Sequence, residues 1–313
     1  MKIYKPKFWD KKFSIFAILF LPMTILVLSI VFIKKLFSNQ RDFKIPIICV
    51  GNIYLGGTGK TPLALFLAKE IKNIGKNPAI IRKFYPVHKD EHDYIKNSFS
   101  NLILRNNRTK AIEDALSKKF DTIILDDGFQ DYEIKKDVNI ICFNQNQLIG
   151  NGFVFPSGPL REGLNSIKNA EIVLINGKKD LKFERKITEI KKDITIYYSN
   201  YRPMNLDEFK NKKYLAFAGI GSPDNFFKLL EQNEITVIKK LFFPDHYSFK
   251  KKELLEIISF AKENNCEIIT TEKDYFRIKD YNLNEIKYLK IDLEIIEKEK
   301  FLKNIFKIYD KNL

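Results

Sequence analysis

Cysteine is scarce in this sequence, and its few positions suit neither a disulfide framework nor a metal centre. The 313 residues include three cysteines, Cys49, Cys142 and Cys266. They are odd in number, far apart and embedded in apolar runs, which is typical of small core residues. A reducing compartment fits this usage, and a cysteine-based metal site does not.

Arginine is also scarce, although the chain is strongly basic. Only 8 of its 54 basic residues are arginine, and the lysines are scattered rather than clustered. The formal net charge of +15 favours acidic partners such as nucleic acid, anionic lipid or nucleotide phosphate. Because no basic stripe with interleaved aromatic residues occurs, we expect no nucleic-acid partner.

One long apolar run without charge lies near the start of the chain. Residues 13–33 read FSIFAILFLPMTILVLSIVFI, 21 residues, which matches the roughly 20 needed to cross a bilayer core. Lysines flank both ends, so charge indicates no orientation, and Pro22 is a candidate kink. A secretory signal peptide is the alternative, but no small-residue cleavage site follows. We therefore predict an N-terminal membrane anchor helix, either spanning the bilayer or partly embedded in it.

A glycine loop follows the first predicted strand. Residues 45–50 suit a buried parallel strand and lead into GNIYLGGTGKTPLALFLAKEI, which starts at residue 51. Amides of such a loop approach phosphate oxygens, Lys60 reaches the β and γ phosphates, and the Thr61 hydroxyl suits Mg²⁺. The strict motif requires glycine where Tyr54 stands, but the strand before and the helix after still indicate phosphate binding. The residues expected to bind nucleotide here are Gly56, Gly57, Thr58, Gly59, Lys60 and Thr61.

A second apolar strand, residues 122–125, ends in two carboxylates. Asp126 and Asp127 follow it and precede Gly128. Carboxylates at the carboxyl end of a parallel strand face the crevice in which ligands bind, and Mg²⁺ prefers oxygen ligands. The alternative is a solvated Asp-Asp-Gly turn, which the phosphate loop makes the weaker interpretation. We predict that Asp126 or Asp127, together with Thr61, holds Mg²⁺.

Strand-like runs alternate with helical stretches along most of the chain. They occur at residues 47–50, 79–81, 122–125, 139–143 and 172–175, which favours a mainly parallel sheet covered on both faces. After a looser segment, residues 199–209, an apolar strand at residues 214–218 begins a second α/β unit. The GIGSP string that follows lacks the lysine of a phosphate loop, so we interpret it as a strand-to-helix turn.

The predicted fold is therefore α/β, with a P-loop NTPase-like, mainly parallel sheet sandwich, a second and smaller α/β domain, and the N-terminal membrane helix. The predicted domains are an anchor and linker at residues 1–42, a nucleotide-binding domain at residues 43–205 and a domain closing the cleft at residues 206–313. No internal repeat or low-complexity tract interrupts this order.

Six motifs in order resemble one family of kinases. They are GGTGKTP at residues 56–62, DDGFQ at 126–130, GNGFVFPSGPLRE at 150–162, AFAGIGSPDNFF at 216–227, FPDHYSF at 243–249 and TTEKD at 270–274. Together they are similar to the tetraacyldisaccharide 4'-kinase family of lipid A biosynthesis. The resemblance covers nearly the whole chain.

This resemblance implies an activity and a location. The activity is transfer of the γ-phosphate of ATP, with Mg²⁺, to the 4' hydroxyl of a tetraacylated disaccharide 1-phosphate, the lipid A precursor, forming lipid IVA. The location is the inner membrane, in contact with its lipid and with the catalytic domains on the cytoplasmic face, and no obligate protein partner is expected. Without the resemblance, the residues indicate only a membrane-associated P-loop phosphotransferase.

The resemblance also implies roles for residues that are far apart in the chain. Asp90 is the candidate base for the acceptor hydroxyl, and His246 orients it or shares its proton. Arg161 donates to a phosphate oxygen, while Glu162 holds this arginine or touches the nucleotide. Arg108 lies near the phosphates. Because Asp90 and His246 fall in different predicted domains, we expect a cleft between these domains.

Each of these roles has a structural alternative. Asp90 in KDEHD is by default a solvated loop residue, and His246 is by default a neighbour of helix-capping residues. Arg161 and Glu162 can form a simple surface ion pair. The sequence leaves these alternatives open.

The sequence departs from the family pattern at three places. Asp131 stands where the DDGFQH string has histidine, so any role of that imidazole is absent or reassigned. IRKFY at residues 81–85 replaces Ser-Arg-Gly-Tyr, which points to a rebuilt loop on the substrate side. A Gly-Asp-Glu-Pro string corresponds to residues 89–92, of which Asp90 and Glu91 keep the two carboxylates.

Two other functions stay open on the sequence alone. The first is another P-loop phosphotransferase or ATPase with a different acceptor, such as a polyprenyl or small-metabolite kinase, which acceptor-dependent ATP consumption distinguishes. The second is a membrane-recruited nucleotide switch, for which Asp90 and His246 are dispensable.

Overall fold

The alternating apolar runs of the sequence form two compact α/β units. A computed structural model describes residues 6–86 and 89–310, without the side chains of residues 89 and 90. The larger unit contains residues 6–84, Phe99–Asn200 and residues 293–310. The smaller unit contains Tyr85–Ser98 and Tyr201–Asp292. Each unit is built from segments that lie apart in the sequence, whereas the domains predicted from sequence are consecutive segments.

Strands and helices alternate along the described chain. The strands are β1 Ile47–Gly51, β2 Pro78–Lys83, β3 Leu102–Arg105, β4 Thr122–Asp126, β5 Val138–Asn144, β6 Ile172–Asn176, β7 Thr195–Pro203, β8 Lys213–Ala218, β9 Thr236–Phe242, β10 Glu267–Thr271, β11 Ile286–Leu289 and β12 Ile291–Ile295. The helices are α1 Ile15–Leu19, α2 Leu21–Leu36, α3 Lys60–Asn73, α4 Lys89–Ser98, α5 Arg108–Ser117, α6 Leu181–Ile190, α7 Pro223–Gln232, α8 Lys251–Glu263, α9 Glu272–Ile278 and α10 Lys298–Asp310.

An eight-stranded sheet organises the larger unit. Its order is β12-β7-β6-β5-β1-β4-β2-β3, and the strands from β7 to β3 pair in parallel. Alternate strand residues such as Ile47 and Cys49 join an apolar cluster with residues of α5, and the intervening Ile48 is fully buried too. Since side chains alternate between the faces of a strand, both faces of the sheet are covered. The predicted α/β fold with a mainly parallel sheet is confirmed.

Three strands of this sheet end side by side. Val50 of β1 and Arg82 of β2 are the register partners of Asp126 on the two sides of β4. Because parallel strands present their carboxyl ends at one edge, the segments that follow β1 and β4 meet there. The register therefore brings the glycine loop next to Asp126 and Asp127.

A four-stranded parallel sheet organises the smaller unit. Its order is β11-β10-β8-β9. β8 ends at Ala218, and the GIGSP string connects it to α7, which begins at Pro223. GIGSP is accordingly a strand-to-helix turn, as predicted.

Two helices replace the single helix predicted over residues 13–33. α1 ends at Leu19 and α2 begins at Leu21, and Phe20 lies between them. Pro22 lies in the first turn of α2, where it lacks the amide hydrogen that a continuous helix would use. α2 has 16 residues, fewer than the roughly 20 that cross a bilayer core. Within residues 6–86 and 89–310 no helix has the length and apolarity to cross a membrane. The prediction that this segment spans the bilayer is therefore wrong, and the alternative of partial embedding stays a prediction.

The N-terminal segment is fixed to the loop of residues 150–162. Thr24 of α2 is buried, and its hydroxyl lies 2.8 Å from Ser157 Oγ and 3.1 Å from Val154 O. Trp9 Nε1 donates to Pro156 O at 3.1 Å. Sequence patterning could not reveal this docking, because it joins segments more than a hundred residues apart.

Candidate active site

The glycine loop between β1 and α3 is shaped by two glycines and one asparagine. Gly56 and Gly59 have φ values of +142° and +91°, which side chains with a Cβ rarely adopt. Asn52 Nδ2 donates to Gly56 O at 3.2 Å and to Thr58 Oγ1 at 2.9 Å. The Thr58 hydroxyl thus accepts a hydrogen bond on the inner side of the loop. Gly57 is exposed beside it.

Lys60 is the first residue of α3 and points toward the end of β4. Its Nζ lies 3.5 Å from Asp127 Oδ1. Burial lowers the pKa of Lys60, and the negative charge of Asp127 opposes this shift. A buried ammonium beside a helix N-terminus and a glycine loop is suited to bind an oligophosphate.

Asp127 balances two of the cations around this loop. Its φ is +59°, and its backbone amide donates to Val50 O at 2.8 Å. Arg161 Nη1 donates to Asp127 Oδ1 at 2.8 Å. Burial by itself raises the pKa of Asp127, but the charges of Lys60 and Arg161 outweigh it and hold the pKa well below its usual range. Asp127 is therefore ionised and already paired with cations.

Asp126 is fully buried, and its two carboxylate oxygens have different surroundings. Oδ2 accepts hydrogen bonds from Thr61 Oγ1 at 3.1 Å and from Arg82 Nη1 at 2.5 Å. Oδ1 is buried without a hydrogen-bond partner among the described residues.

These oxygens fit a magnesium ion. The distance of 3.1 Å between Thr61 Oγ1 and Asp126 Oδ2 matches the edge of about 3.0 Å in an octahedral Mg²⁺ shell with bonds of about 2.1 Å. In the part of the chain that the structure describes, no group of three or more histidine, cysteine or acidic side chains could hold a metal. This is compatible with Mg²⁺, which often binds one or two carboxylates and completes its shell with water and phosphate oxygens.

Arg108 and Asp131 hold the backbone that carries the two carboxylates. Arg108 Nη2 donates to the carbonyl oxygens of Asp127 at 2.7 Å and Asp126 at 3.3 Å. Its Nη1 lies 3.5 Å from Asp131 Oδ2. Asp131, which stands where the family string has histidine, thus anchors Arg108.

The loop of residues 150–162 delivers Arg161 and Glu162 to the same place. Its backbone bonds to the glycine loop, from Leu55 N to Pro159 O at 2.8 Å and from Arg161 N to Ile53 O at 2.7 Å. Arg161 bonds Asp127 across the site, whereas Glu162 is buried and lies near Tyr132, whose pKa is raised by burial and by the Glu162 charge. The geometry therefore disfavours a simple surface pair of Arg161 with Glu162.

His246 lies in a cluster of charged residues within the smaller unit. Its Nε2 is 3.7 Å from Glu91 Oε1, and Lys273 of α9 forms an ion pair with the same oxygen. Asp90 precedes Glu91 in α4, and its side chain lies outside the described ones. The structure therefore brings His246 to the first turn of α4, and the pairing of His246 with Asp90 stays a prediction.

Arg277 fixes the other side of the His246 ring. Its Nη2 lies 3.5 Å from His246 Nδ1, while its Nη1 bonds Asp274 Oδ1 at 2.6 Å. Because a guanidinium has no acceptor, Nδ1 accepts this bond and the neutral ring carries its proton on Nε2, toward Glu91. Asp274 is fully buried and also accepts from Gly219 N at 2.9 Å and Thr271 Oγ1 at 2.7 Å. Burial raises the pKa of Asp274, and the charge of Arg277 opposes this rise.

Sequence reasoning assigned no role to several residues of these two clusters. Lys273 and Asp274 belong to the TTEKD motif and Gln130 to DDGFQ, so the motifs themselves were the available signal. Gln130 Nε2 donates to Asn52 O at 2.9 Å. Asn52 and Arg277 contribute through tertiary contacts and carry no local signal. Arg82 and Glu91 lie in the stretches of residues 81–85 and 89–92 that were compared with family strings, but no role was assigned to them.

Comparison with known proteins decides the family. A family model described as Tetraacyldisaccharide-1-P 4'-kinase matches residues 16–309. A Tetraacyldisaccharide 4'-kinase of Pelagibacter ubique is 43% identical over 321 residues, which cover 100% of both chains. The chain belongs to the tetraacyldisaccharide 4'-kinase family. It is accordingly an enzyme of the kinase class.

Other members of the tetraacyldisaccharide 4'-kinase family agree in length and fold. The Tetraacyldisaccharide 4'-kinase of Rickettsia canadensis is 32% identical over 325 residues, covering 98% of each chain. The crystal structure of LpxK from Aquifex aeolicus in complex with ATP matches with a TM-score of 0.71 and 24% identity, covering 93% of this chain and 99% of that one. The fold described above is shared with that protein.

Proposed function

We propose that this chain transfers the γ-phosphate of ATP to the 4' hydroxyl of tetraacyldisaccharide 1-phosphate, which forms lipid IVA. The observation that carries the proposal is the cluster of Lys60, Arg108 and Arg161 around two strand-terminal aspartates, in a chain of the tetraacyldisaccharide 4'-kinase family. The Lys60 and Arg161 side chains of this cluster suit the charge of a triphosphate, which spreads over the phosphate oxygens during transfer.

Within the larger unit, each residue has one task. The amides of the glycine loop and Lys60 bind the β and γ phosphates, and Arg161 stabilises the charge that develops on the transferred group. Arg108 holds the backbone of Asp126 and Asp127 in place through their carbonyl oxygens. Thr61 and Asp126 would hold Mg²⁺, which neutralises phosphate charge when bound. Asp126 is the better direct ligand because its Oδ2 lies 3.1 Å from the Thr61 hydroxyl, whereas Asp127 is paired with Lys60 and Arg161.

Within the smaller unit, the acceptor hydroxyl loses its proton. Asp90 accepts this proton, and His246, whose Nε2 lies 3.7 Å from the neighbouring Glu91 Oε1, orients it or shares its proton. Arg277 keeps the ring in the tautomer that can donate. Glu91, which contacts both His246 and Lys273, is the competing candidate for the base.

The N-terminal helices provide the contact with the membrane in this proposal. α2 packs on the larger unit through Thr24 and Val27, while most of its other apolar side chains are exposed. The exposed set on α1, α2 and their flanks includes Phe13, Ile15, Phe16, Leu19, Ile25, Leu26, Phe32, Ile33, Leu36 and Phe37. A surface of this size with lysines at both ends suits a segment that lies in the lipid interface. We assign it to the cytoplasmic face of the inner membrane, where ATP and the lipid precursor meet.

A double substitution in α2 tests this membrane contact. Leu26→Glu with Phe32→Glu should lower the partition coefficient onto phosphatidylethanolamine–phosphatidylglycerol vesicles, measured by flotation, by roughly 10²–10⁴-fold, because each of the two buried apolar side chains contributes about 1.5–3 kcal/mol. The two residues are 62% and 65% exposed, so folding should be unaffected. The control is Ile238→Glu with Leu255→Glu, two exposed apolar positions of the smaller unit. Equal flotation of both variants would disprove this contact.

The activity itself is tested with the purified chain, labelled ATP, Mg²⁺ and detergent-solubilised tetraacyldisaccharide 1-phosphate. We expect acceptor-dependent label transfer, and mass spectrometry of the product should locate the new phosphate at the 4' position. ATP consumption with another alcohol acceptor but not with this one would identify a different phosphotransferase. ATP binding without transfer to any acceptor would favour a nucleotide switch.

A further inference from the structure

Arg82 lies on the two oxygens that the proposed function assigns to Mg²⁺. Its Nη1 is 2.5 Å from Asp126 Oδ2 and 3.1 Å from Thr61 Oγ1, and these two oxygens are 3.1 Å apart. The position follows from the sheet, because Arg82 and Asp126 are register partners in neighbouring strands and their side chains project from the same face. One guanidinium nitrogen thus contacts both oxygens at once.

The positive charge of Arg82 compensates the negative charge of the buried Asp126 carboxylate. An ionised carboxylate without contact to water is strongly destabilising unless a cation or several donors compensate it. Asp126 is fully buried and Arg82 is 9% exposed, so solvent screens this pair little. A direct Arg–carboxylate bond supplies the compensation.

Arg82 and Mg²⁺ cannot both take the same place. The two oxygens are spaced as neighbouring ligands of an octahedral Mg²⁺, and the guanidinium nitrogen lies within hydrogen-bond distance of both. A Mg²⁺ ion bound to these two oxygens would lie next to the guanidinium, and two neighbouring cations repel each other strongly in a buried site. The metal therefore binds Asp126 Oδ2 together with Thr61 Oγ1 only when the guanidinium has moved away.

We propose that Arg82 is an internal counter-ion of the metal site, which neutralises Asp126 in the free protein and must be displaced by Mg²⁺. Arg82 is then a positioning residue that sets the Mg²⁺ concentration the enzyme needs. The inference rests on the proposed function only in taking Asp126 and Thr61 as the metal ligands.

The test measures binding of Mg²⁺ alone to the full-length chain, by calorimetry and by thermal shift, in the wild type and three variants. In Arg82→Gln the half-saturating Mg²⁺ concentration should fall about tenfold or more, because the competing charge is gone. Mg²⁺ should also raise the Tm of this variant more than that of the wild type. Arg82→Lys should stay close to the wild type. The matched control is Arg105→Gln on β3, whose partner Asp114 is away from the site.

Two outcomes would overturn the proposal. An unchanged Mg²⁺ requirement in Arg82→Gln means that Arg82 does not compete with the metal, and a higher requirement means that it helps to orient the ligand instead. If the Mg²⁺ requirement is unchanged, the ion pair of Arg82 with Asp126 has only a structural role.

A second measurement keeps the proposal testable if Arg82→Gln does not fold. The chain has only 8 arginines, so the guanidinium signals of the ¹⁵N-labelled wild type can be resolved and that of Arg82 assigned with Arg82→Lys. We expect Mg²⁺ to shift and broaden the Arg82 signal, and an unaffected signal at saturating Mg²⁺ contradicts displacement. These readouts need no acceptor lipid, so absence of lipid phosphorylation by the wild type would refute the proposed function without deciding this inference.

Discussion

Replacing Lys60 by methionine should lower the rate of phosphate transfer by roughly 10²–10³-fold or more, the effect of removing one preorganised charged group from a buried site. The Lys60 ammonium is buried at the start of α3, where burial lowers its pKa and Asp127 is its anionic neighbour. Methionine keeps the length of the side chain and removes the charge that meets the phosphates. Initial rates with labelled ATP at saturating acceptor measure the effect, and equilibrium ATP binding measures the loss of affinity.

Lys69→Met is the matched control for this variant. Lys69 lies on the same helix and is exposed, so its substitution should leave both the rate and the affinity for ATP near those of the wild type. If Lys60→Met were to retain normal turnover, phosphate binding at the glycine loop would lose its main support. A loss of folding would be visible in the Tm and would require Lys60→Arg as the second variant.

Replacing Asp90 by asparagine should lower kcat by about 10²–10⁴-fold and leave the Kd for ATP nearly unchanged. This is the range expected when a positioned general base is removed from a reaction of a weakly acidic hydroxyl. The amide keeps the size of the carboxylate and cannot accept the proton. The role of Asp90 as the base rests on the family resemblance, and the structure does not describe its side chain. This experiment therefore decides whether Asp90 is the base.

Two comparisons make the Asp90 experiment specific. Asp93→Asn removes a carboxylate from the same helix α4 and should be nearly silent. Glu91→Gln removes the carboxylate that contacts His246, so a larger loss for Glu91→Gln than for Asp90→Asn would move the base to Glu91. Combining Asp90→Asn with His246→Gln should cost little beyond Asp90→Asn alone, because the two residues act as one unit.

Local chemistry made the position of the glycine loop and of the strand-terminal aspartates predictable. Strand, glycine loop and helix follow one another between residues 47 and 73, and positive φ values at Gly56 and Gly59 agree with what such a loop needs. The carboxyl end of β4 places Asp126 and Asp127 at the edge of the sheet where β1 also ends. For these positions, knowledge of a parallel sheet sufficed.

The N-terminal helix shows where local patterning failed. Apolarity alone predicted one membrane helix, but Pro22 lies in the first turn of α2 and Thr24 is buried against Ser157. Hydropathy records how apolar a segment is and carries no information on which distant loop will cover it. The break between α1 and α2 and the docking of Thr24 on Ser157 are therefore seen only in the tertiary structure.

The sequence by itself determined the α/β class, the glycine loop with Lys60 and the strand-terminal aspartates, because these depend on periodicity and on the chemistry of neighbours in the chain. Only the tertiary structure decided that Arg82 neutralises Asp126, that Asp131 anchors Arg108, and that Arg277 and Glu91 flank His246. Each of these contacts joins segments separated along the chain. Its partner is set by strand register and helix packing, which no local pattern encodes.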